Sequence, residues 1–349
     1  MKLEFKTIRL ELANPWRISR TQPSEFSEII IVKLLTKQSV VGFGEAAPIR
    51  RYSESPKSVC EFLSQIDPAN LSFERVTESL AYVDSITPSS QSARCALSLA
   101  LLDGAAKLNG KLLHNFLGLS FQENSYITSF SIGIDDPEII QSKVVSAAEF
   151  PILKLKVASA DDRRNLKAIR EIAPTKTIRV DANEGWRTKE QALEQIEWLA
   201  TDGRIEFVEQ PMPASTPLTD LRWLKERSPL PIFADESYHS ASDAELVAEG
   251  FHGVNVKLVK TGGIFEAMDA LRSARRFGLK TMLGCMIETS VLISGAAHLA
   301  SLADFWDLDG NLLITNDPFE GVTAKGGILS FAQASEKSGL RVKPKAEII

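Results

Sequence analysis

Charged residues recur at a regular interval in the second half of this chain, each after a short run of β-branched residues. They lie in the segments LKLKV, IRVDANEGW, IEFVEQP, IFADES and VNVKLVK, and they are Lys154, Lys156, Asp181, Glu209, Asp235 and Lys257. From Lys156 onward they are 25, 28, 26 and 22 residues apart. A strand, a helix and their connections need about 30 residues. Charged residues at the C-terminal ends of successive parallel strands are typical of the active-site face of a β/α barrel.

Strand-like and helix-like patterns alternate from residue 126 onward, with helices predicted at 161–172 and 263–275. Eight strands are predicted, at 127–133, 152–157, 178–183, 205–210, 231–237, 253–259, 281–287 and 305–308. Eight strands that alternate with helices favour a closed parallel barrel over an open sheet.

The residues before this region follow a different pattern. Residues 1 to about 50 contain β-rich runs joined by polar residues, which predicts a meander of strands. A helix should begin near Pro56, and the apolar segment 92–110 predicts a second helix that ends at Asn109 and Gly110. The tail after Glu320 is Gly-rich and then β-like. We therefore expect three parts: an α+β domain (1–115), a barrel with the active site (116–320) and a tail that packs back on the first domain (321–349).

Composition argues against several classes of partner. The 349 residues carry a net charge of −5, with 44% hydrophobic and 24% charged residues, so nothing predicts binding to nucleic acid or to an anionic membrane. No apolar run approaches the roughly 20 residues of a membrane span. Three cysteines without close pairing argue against a disulfide framework, and a reducing cytoplasmic location is expected. The four histidines have no ligand-like spacing and are expected to be structural.

The predicted barrel brings the charged residues together. Side chains alternate along a strand, so Lys154 and Lys156 face the same side, the barrel interior. Lys257 belongs to strand 6, which lies opposite strand 2 in a ring of eight. The three carboxylates on strands 3, 4 and 5 then lie between the lysines. Any one carboxylate alone could be a helix cap or a surface ion-pair partner, but three in register with opposed lysines favour an active site.

Oxygen ligands without Cys or His favour Mg²⁺, with Mn²⁺ as a substitute. A cation there could hold a substrate carboxylate, and the chemistry this suits is removal of the neighbouring α-proton through an enediolate. The metal, Lys154 and burial would each lower the pKa of Lys156, as a lysine base requires. Bases on opposite faces of the α-carbon would allow the proton to leave from one side and return on the other, which inverts the stereocentre.

The motifs K-x-K, D-x-N, V-E-Q-P, A-D-E-S and N-x-K-L-x-K-x-G-G resemble the muconate-lactonising subgroup of the enolase superfamily over essentially the whole chain. That superfamily is known for Lys or His bases used with Mg²⁺. The resemblance implies a (β/α)7β TIM-type barrel, closed over by an α+β capping domain made of the N-terminal block and the C-terminal tail.

Within the subgroup the chain is most similar to the dipeptide epimerases, particularly the L-Ala-D/L-Glu epimerases of cell-wall (murein) peptide metabolism. The similarity rests on Asp307-Leu308-Asp309 at the end of strand 8 and on GCMIETS at the end of strand 7. The aspartates would bind the ammonium group of the substrate, across the barrel from the metal. The alternative is a simple turn at Asp309-Gly310.

The resemblance also implies the roles of single residues. The acid/base pair would be Lys156 and Lys257, and the metal ligands Asp181, Glu209 and Asp235. Lys154 would contact the substrate carboxylate. The remaining predicted site residues are Asn183 beside the metal ligands, Ser131 near the substrate, and Met286 and Ile287 in the pocket wall.

Two loops of the first domain, at 15–20 and 48–52, should decide substrate specificity. In the Ala-Glu epimerases an arginine of the first loop binds the distal carboxylate of the substrate, and Arg20, or else Arg17, is the candidate here. Arg50 and Arg51 add positive charge. If these loops face solvent instead, a dipeptide with an apolar or small second residue is expected.

Three readings of the function compete. The first is a Mg²⁺-dependent dipeptide epimerase, and the second is o-succinylbenzoate synthesis or muconate cycloisomerisation within the same subgroup. The Asp307/Asp309 pair argues against the second, because those substrates carry no ammonium group. The third is a non-catalytic barrel that binds peptides or a partner. The chain could also form a homo-oligomer, although no interface pattern is visible in the sequence.

Overall fold

The computed structural model describes residues 1–87 and 89–348. The chain begins with an antiparallel sheet of three strands, β1 Lys2–Trp16, β2 Ser24–Leu35 and β3 Val41–Ala46. Its centre is the apolar run of β2, in which Ile29, Ile30, Ile31 and Val32 are all fully buried. The predicted meander of strands over residues 1–50 is therefore confirmed.

Four helices follow: α1 Pro56–Leu63, α2 Val76–Asp84, α3 Gln91–Leu108 and the short α4 Leu113–Phe116. The helix α1 begins at a Ser55 cap that accepts a hydrogen bond from the backbone N–H of Ser58. The helix α3 is apolar on all sides and buried against β3. A Cβ at Gly42 or Gly44 would lie about 2 Å from carbonyl oxygens of α3, so only glycine permits this close approach.

Residues 130–307 form an eight-stranded parallel sheet in which each strand pairs with its sequence neighbour. The strands are β4 Phe130–Ile132, β5 Ile152–Lys156, β6 Thr177–Asp181, β7 Ile205–Glu209, β8 Ile232–Ala234, β9 Gly253–Val256, β10 Lys280–Gly284 and β11 Phe305–Asp307. The helices between these strands are α5 Pro137–Ser146, α6 Asp162–Ile172, α7 Lys189–Ala200, α8 Leu218–Arg227, α9 Ala244–Gly250, α10 Leu258–Thr261, α11 Ile264–Arg276 and α12 Ser290–Ala297.

The first and last strands of this sheet meet just before β4. Thr128 forms a parallel bridge with Trp306. The N–H of Ser129 donates to the carbonyl of Trp306 at 3.2 Å, and the N–H of Leu308 donates to Oγ1 of Thr128 at 2.7 Å. The closed parallel barrel expected from the sequence is therefore confirmed.

The predicted strands were too long at several positions. The fifth strand was predicted to end at residue 237, but it ends at Ala234. The sixth was predicted to end at residue 259, but it ends at Val256, because α10 begins at Leu258. The first strand spans only three residues. Val259 and Ile134 lie beyond the ends of the sixth and first strands, so β-branched residues alone do not mark a strand end.

The tail forms two small ladders, in which β12 Phe319–Glu320 pairs with β15 Lys343–Pro344, and β13 Thr323–Lys325 pairs with β14 Ile328–Ser330. It contacts both larger parts of the chain. The N–H of Leu340 donates to the buried carboxylate of Asp103 in α3 at 2.8 Å, and Ile328 forms a bridge with Ile127 beside the barrel. Across the described residues, no helix combines the length and the apolar character that crossing a bilayer would require.

Candidate active site

The alternation of side chains along the barrel strands builds the site in two levels. At the C-terminal ends lie Lys156, Asp181, Glu209, Asp235, Lys257 and Asp307, and two residues earlier on the same strands lie Lys154, Arg179, Phe207, Phe233, Asn255 and Phe305. Because the side-chain period of a strand is two, both sets face the interior. Phe207 stacks on Phe233 with ring centroids 4.2 Å apart, so the lower level closes the floor of the site.

The three predicted metal ligands come together. Carboxylate oxygens of Asp181, Glu209 and Asp235 all lie within 4.8 Å of one another, and all three residues are buried. Asp181 and Glu209 are the last residues of β6 and β7, and Asp235 follows β8 by one residue. Three hard oxygen donors at this spacing fit a small divalent cation. The residues present are therefore compatible with the Mg²⁺ expected from the sequence.

The pKa values of these carboxylates reflect their mutual repulsion and the lysines beside them. Burial and the neighbouring Asp181 raise the pKa of Glu209 to about 7. Burial also acts to raise the pKa of Asp181, but Lys156 and Lys154 outweigh it and lower that pKa to about 2. A cation bound between the carboxylates would relieve the same repulsion.

Lys154 lies at the centre of the cluster. Its Nζ is 2.7 Å from Oδ2 of Asp307, 2.8 Å from Oε2 of Glu209 and 3.2 Å from Oδ2 of Asp181. Burial alone would lower the pKa of Lys154, but the three carboxylates outweigh it and hold the pKa well above its usual value. Lys154 is thus a fixed positive charge at neutral pH.

Lys156 and Lys257 face the site from opposite walls. The Nζ of Lys156 on β5 lies 2.6 Å from Oδ2 of Asp181, and the Nζ of Lys257 lies 2.8 Å from Oδ2 of Asp235. Lys257 follows β9, and β5 and β9 are four positions apart in the ring of eight. Burial lowers the pKa of Lys257, but Asp235 more than compensates and raises it. The geometry places one ammonium group on each side of the space above the carboxylates.

Two polar residues beneath the cluster were not predicted as site residues. Lys260 is buried, and its Nζ donates to Oδ1 and the carbonyl of Asp235 and to the carbonyls of Tyr238 and Asn255. Nδ2 of Asn255 donates to Oε1 of Glu209 at 2.8 Å. Both residues belong to the N-x-K-L-x-K motif, so the signal was present in the sequence. They hold two of the three carboxylates in place from outside the metal position.

The two aspartates at the end of β11 have different surroundings. Asp307 accepts hydrogen bonds from Nζ of Lys154 and Oγ of Ser129, both at 2.7 Å. Asp309 accepts from the backbone N–H of Ser131 at 2.6 Å. Burial and the neighbouring Asp307 raise the pKa of Asp309 to about 6. The charge of Asp307 is therefore balanced by Lys154, whereas Asp309 faces the cavity without a cation of its own among the described residues.

The segment after β10 forms the adjoining wall. Met286 and Ile287 both line the cavity, and Sδ of Met286 lies 3.8 Å from Nζ of Lys257. This wall packs tightly on the turn after Asp309, because a Cβ at Gly310 would lie 2.1 Å from the carbonyl oxygen of Met286. The chain therefore turns at Asp309-Gly310, and Asp309 also faces the cavity.

The cavity above these residues has a volume of about 590 Å³ and is bounded by both domains. The predicted site residues Arg20, Ser131, Asn183, Met286 and Ile287 line it, and so do residues of both predicted specificity loops. Both loops therefore border the cavity, although their arginines are also exposed to solvent. Asn183 also donates its backbone N–H to Oδ1 of Asp181 at 2.9 Å, which holds that metal-ligand candidate in place.

Two arginines of the loops form ion pairs with carboxylates of the barrel. Nη1 of Arg20 lies 2.6 Å from Oε1 of Glu236 and 3.6 Å from Oε2 of Glu184, and Arg51 makes a bidentate pair with Glu184 at 2.8 and 2.9 Å. Arg17 is not among the residues that line the cavity. Sequence reasoning missed Glu184 and Glu236, although they lie beside predicted ligands in DANEGW and ADES.

The histidines lie outside the carboxylate cluster, as expected. Nδ1 of His114 and Nδ1 of His298 are 2.8 Å apart in a buried pair, and Nδ1 of His252 accepts from the N–H of Ile232. Among the described residues, the group that could hold a metal consists of carboxylates alone.

Two family models match the chain. The N-terminal domain of mandelate racemase/muconate lactonizing enzyme matches residues 3–118, and the enolase C-terminal domain-like model matches residues 140–316. The chain belongs to this family of the enolase superfamily. The family expected from the sequence motifs is confirmed.

Several relatives of known activity or structure are similar over nearly their full length. The L-Ala-D/L-amino acid epimerase of Pedosphaera parvula (strain Ellin514) is 55% identical, over 99% of this chain and 100% of that protein. A substrate-liganded complex of the L-Ala-D/L-Glu epimerase from Bacillus subtilis superposes with a TM-score of 0.87 at 29% identity, over 95% of each chain. A dipeptide epimerase from Enterococcus faecalis V583, complexed with Mg and L-Leu-L-Tyr, has the same TM-score and identity over 97% of this chain and 98% of that one.

Proposed function

We propose that this protein is a metal-dependent dipeptide epimerase, an isomerase that inverts the α-carbon of the second residue of a dipeptide. The observation that carries the proposal is the position of Lys156 and Lys257 on opposite walls, with the carboxylate cluster between them. Full-length similarity to epimerases of L-Ala-containing dipeptides supports it.

Asp181, Glu209 and Asp235 would hold the metal, with Mg²⁺ as the expected ion and Mn²⁺ as a substitute. Bound there, the ion would attract the substrate carboxylate and make the neighbouring α-proton more acidic. Lys154 adds a fixed positive charge next to the same position. The presence of Mg in the Enterococcus faecalis complex supports this choice of ion.

Lys156 and Lys257 move the proton in this proposal. One lysine must be neutral when it accepts the α-proton, and the other must be protonated when it returns a proton to the opposite face. Both ammonium groups pair with carboxylates of the cluster, so their charge depends on what else binds those carboxylates. The dipeptide ammonium group would bind at Asp309, across the barrel from the metal ligands.

The cellular setting is part of the proposal as well. The three cysteines are all unpaired, which is compatible with a reducing cytoplasm. A dipeptide that contains L-Ala is the kind of product that cell-wall peptide turnover supplies.

Deuterium exchange tests the proposal. The protein with Mg²⁺ is incubated in D₂O with L-Ala-L-Xaa and L-Ala-D-Xaa dipeptides, and α-deuterium and stereochemistry are measured by mass spectrometry and chiral chromatography. The unmodified protein should exchange and epimerise, and Lys156→Ala or Lys257→Ala should reduce epimerisation by at least about 10²-fold. Each variant should still exchange the α-proton of the one epimer that faces its remaining lysine.

A surface lysine provides the control. Lys167→Ala, on the exposed side of α6, should leave exchange and epimerisation unchanged. If no dipeptide exchanges with the unmodified protein, the proposal is wrong. If Lys156→Ala and Lys257→Ala both still epimerise dipeptides at the rate of the unmodified protein, the two-lysine mechanism is wrong.

A further inference from the structure

Six cationic side chains line the active-site cavity: Arg20, Arg50, Arg51, Lys154, Lys156 and Lys257. Five of them pair with carboxylates of the barrel. Only Arg50, which is exposed, forms no ion pair with a described residue. Arg20 and Arg51 already pair with Glu236 and Glu184, so a substrate carboxylate would have to compete with these two residues for either arginine.

The pairs of Arg20 and Arg51 join the two domains. Arg20 lies between β1 and β2, and Arg51 lies in a short 3-10 helix after β3, whereas Glu184 follows β6 and Glu236 follows β8. The side chain of Glu236 is only 1% exposed and that of Arg20 is 29% exposed, so the carboxylate of this pair is buried and the arginine is partly exposed. Burial would lower the pKa of Arg20, but Glu236 and Glu184 outweigh it and raise the pKa.

The same contacts hold an unusual backbone segment. Asn183 and Glu184 are consecutive non-glycine residues with φ of 44° and 66°, a region that costs free energy for residues with a side chain. Nη1 of Arg20 donates to the carbonyl of Asn183 at 3.0 Å, and Oγ of Ser19 donates to the same carbonyl at 2.9 Å. The first loop therefore stabilises the segment that follows the metal-ligand candidate Asp181.

The side chain of the second substrate residue can extend from the site in one direction. In the proposed binding mode the substrate carboxylate lies at the metal ligands, the α-carbon lies between the two lysines and the ammonium group lies at Asp309. The stacked aromatic residues close the site from below. The remaining direction is upward, toward the capping loops. The lining there includes the apolar residues Leu12, Trp16, Ile18, Phe26, Ile49 and Leu313, together with uncharged polar residues and Arg50.

We propose that Arg20 and Arg51 are positioning residues that latch the two capping loops onto the barrel through Glu236 and Glu184, and that the pocket they enclose selects dipeptides with an uncharged second side chain. This inference rests on the proposed function and deepens it by naming the substrate class. A glutamate side chain in this pocket would approach Glu236, which lines it, or would have to break the ion pairs of Arg20 and Arg51. An uncharged side chain would do neither.

A pair of nearly isosteric substrates tests the substrate class. L-Ala-L-Gln and L-Ala-L-Glu differ in the charge of the second side chain, and L-Ala-L-Met supplies an apolar comparison of similar length. We expect kcat/KM for the Gln and Met dipeptides to exceed that for the Glu dipeptide by about tenfold or more, because the Glu carboxylate would have to compete with Glu236 and Glu184 for Arg20 and Arg51. A preference for L-Ala-L-Glu over L-Ala-L-Gln would overturn the inference.

Variants separate a latch from a residue that binds the substrate side chain. Arg20→Gln should lower kcat/KM about 10- to 100-fold for all three dipeptides alike, mainly through KM, because the loop no longer covers the pocket. Glu184→Gln should also weaken all three. If Arg20 instead binds the substrate, Arg20→Gln will weaken only L-Ala-L-Glu, and Glu184→Gln will improve that substrate by releasing a cation.

A charge exchange shows whether the pair itself matters. Arg51→Glu and Glu184→Arg should each lower kcat/KM, and the double variant should recover part of the loss. If circular dichroism shows that all variants are folded and the double variant recovers no activity, the result counts against the latch. Arg17→Gln is the matched control in the same loop and should behave like the unmodified protein. A loss confined to L-Ala-L-Glu in Arg50→Gln would identify Arg50 as a reader of acidic side chains and overturn the inference.

The two proposals fail in different ways. If L-Ala-L-Glu is the preferred substrate, epimerisation by two lysines stands and only the latch and substrate class fall. If none of the three dipeptides exchanges its α-proton, the epimerase proposal itself fails.

Discussion

The carboxylate of Glu45, on β3 of the first domain, accepts a hydrogen bond from the backbone N–H of Thr289, at the start of α12 of the barrel, at 2.9 Å. Glu45 is fully buried, and the N–H of Leu292 donates to it as well. Burial raises the pKa of Glu45 to about 7, and Asp317 acts in the same direction. One buried carboxyl group thus joins the two domains at the segment that carries Met286 and Ile287.

The raised pKa of Glu45 predicts how stability depends on pH. Between about pH 4.5 and 7 the folded protein retains a proton that the unfolded chain loses, so the free energy of unfolding should decrease as pH rises through this window. The Glu45 contribution is about 3 kcal/mol. Glu45→Gln should flatten the curve of unfolding free energy against pH, measured by denaturant titration from pH 5 to 8. The buried Glu288 contributes with the same sign in both proteins, so parallel curves would show that Glu45 does not titrate in this range.

Asp309 should give the enzyme its requirement for an ammonium group. The unmodified protein should prefer an L-Ala dipeptide over the matching N-propionyl amino acid, which has the same shape without the charge. Asp309→Asn should reduce this preference about 10- to 100-fold. Because the pKa of Asp309 is raised to about 6 by burial and by Asp307, the preference should strengthen as pH rises through 6. Equal loss for both compounds would mean that Asp309 is only structural.

Lys260 should be essential for stability rather than for proton transfer. Its Nζ is buried and donates to four acceptors, two of them on Asp235. Lys260→Met should lower the free energy of unfolding of the metal-free protein by about 3–5 kcal/mol, because it leaves the buried carboxylate short of a partner. Denaturant unfolding in EDTA measures this change. Lys225→Met, on the partly exposed α8, is the matched control and should cost far less.

Metal binding should stabilise the fold. Because the unfolded chain lacks the arranged carboxylates, added Mg²⁺ or Mn²⁺ should raise the melting temperature of EDTA-treated protein, and the rise should grow with metal concentration. Asp235→Asn and Glu209→Gln should abolish most of this rise. A concentration-dependent rise of the same size in both variants would show that the cation binds elsewhere.

The spacing of Asp181, Glu209, Asp235 and Lys257 was enough to predict the barrel. The spacing depends only on local structure: each strand needs a β-rich run, each helix follows it, and the side-chain period of two decides which residues face inward. The metal-ligand cluster and the opposed lysines follow from the same pattern. These parts of the site are encoded by residues near one another in sequence and by closure of the ring.

The role of Arg20 could not be obtained in this way. Its partners Glu184 and Glu236 are more than 160 residues away in the sequence, and whether an arginine meets a carboxylate of its own chain or a substrate depends on how the capping loops lie on the barrel. The contact between Glu45 and Thr289 likewise depends on how the first domain packs on the barrel. Strand spacing and motif chemistry thus determined the barrel and the charged groups at its C-terminal end. The packing of one domain on the other decided which of these charges are paired within the chain, because that packing joins residues that no local pattern relates.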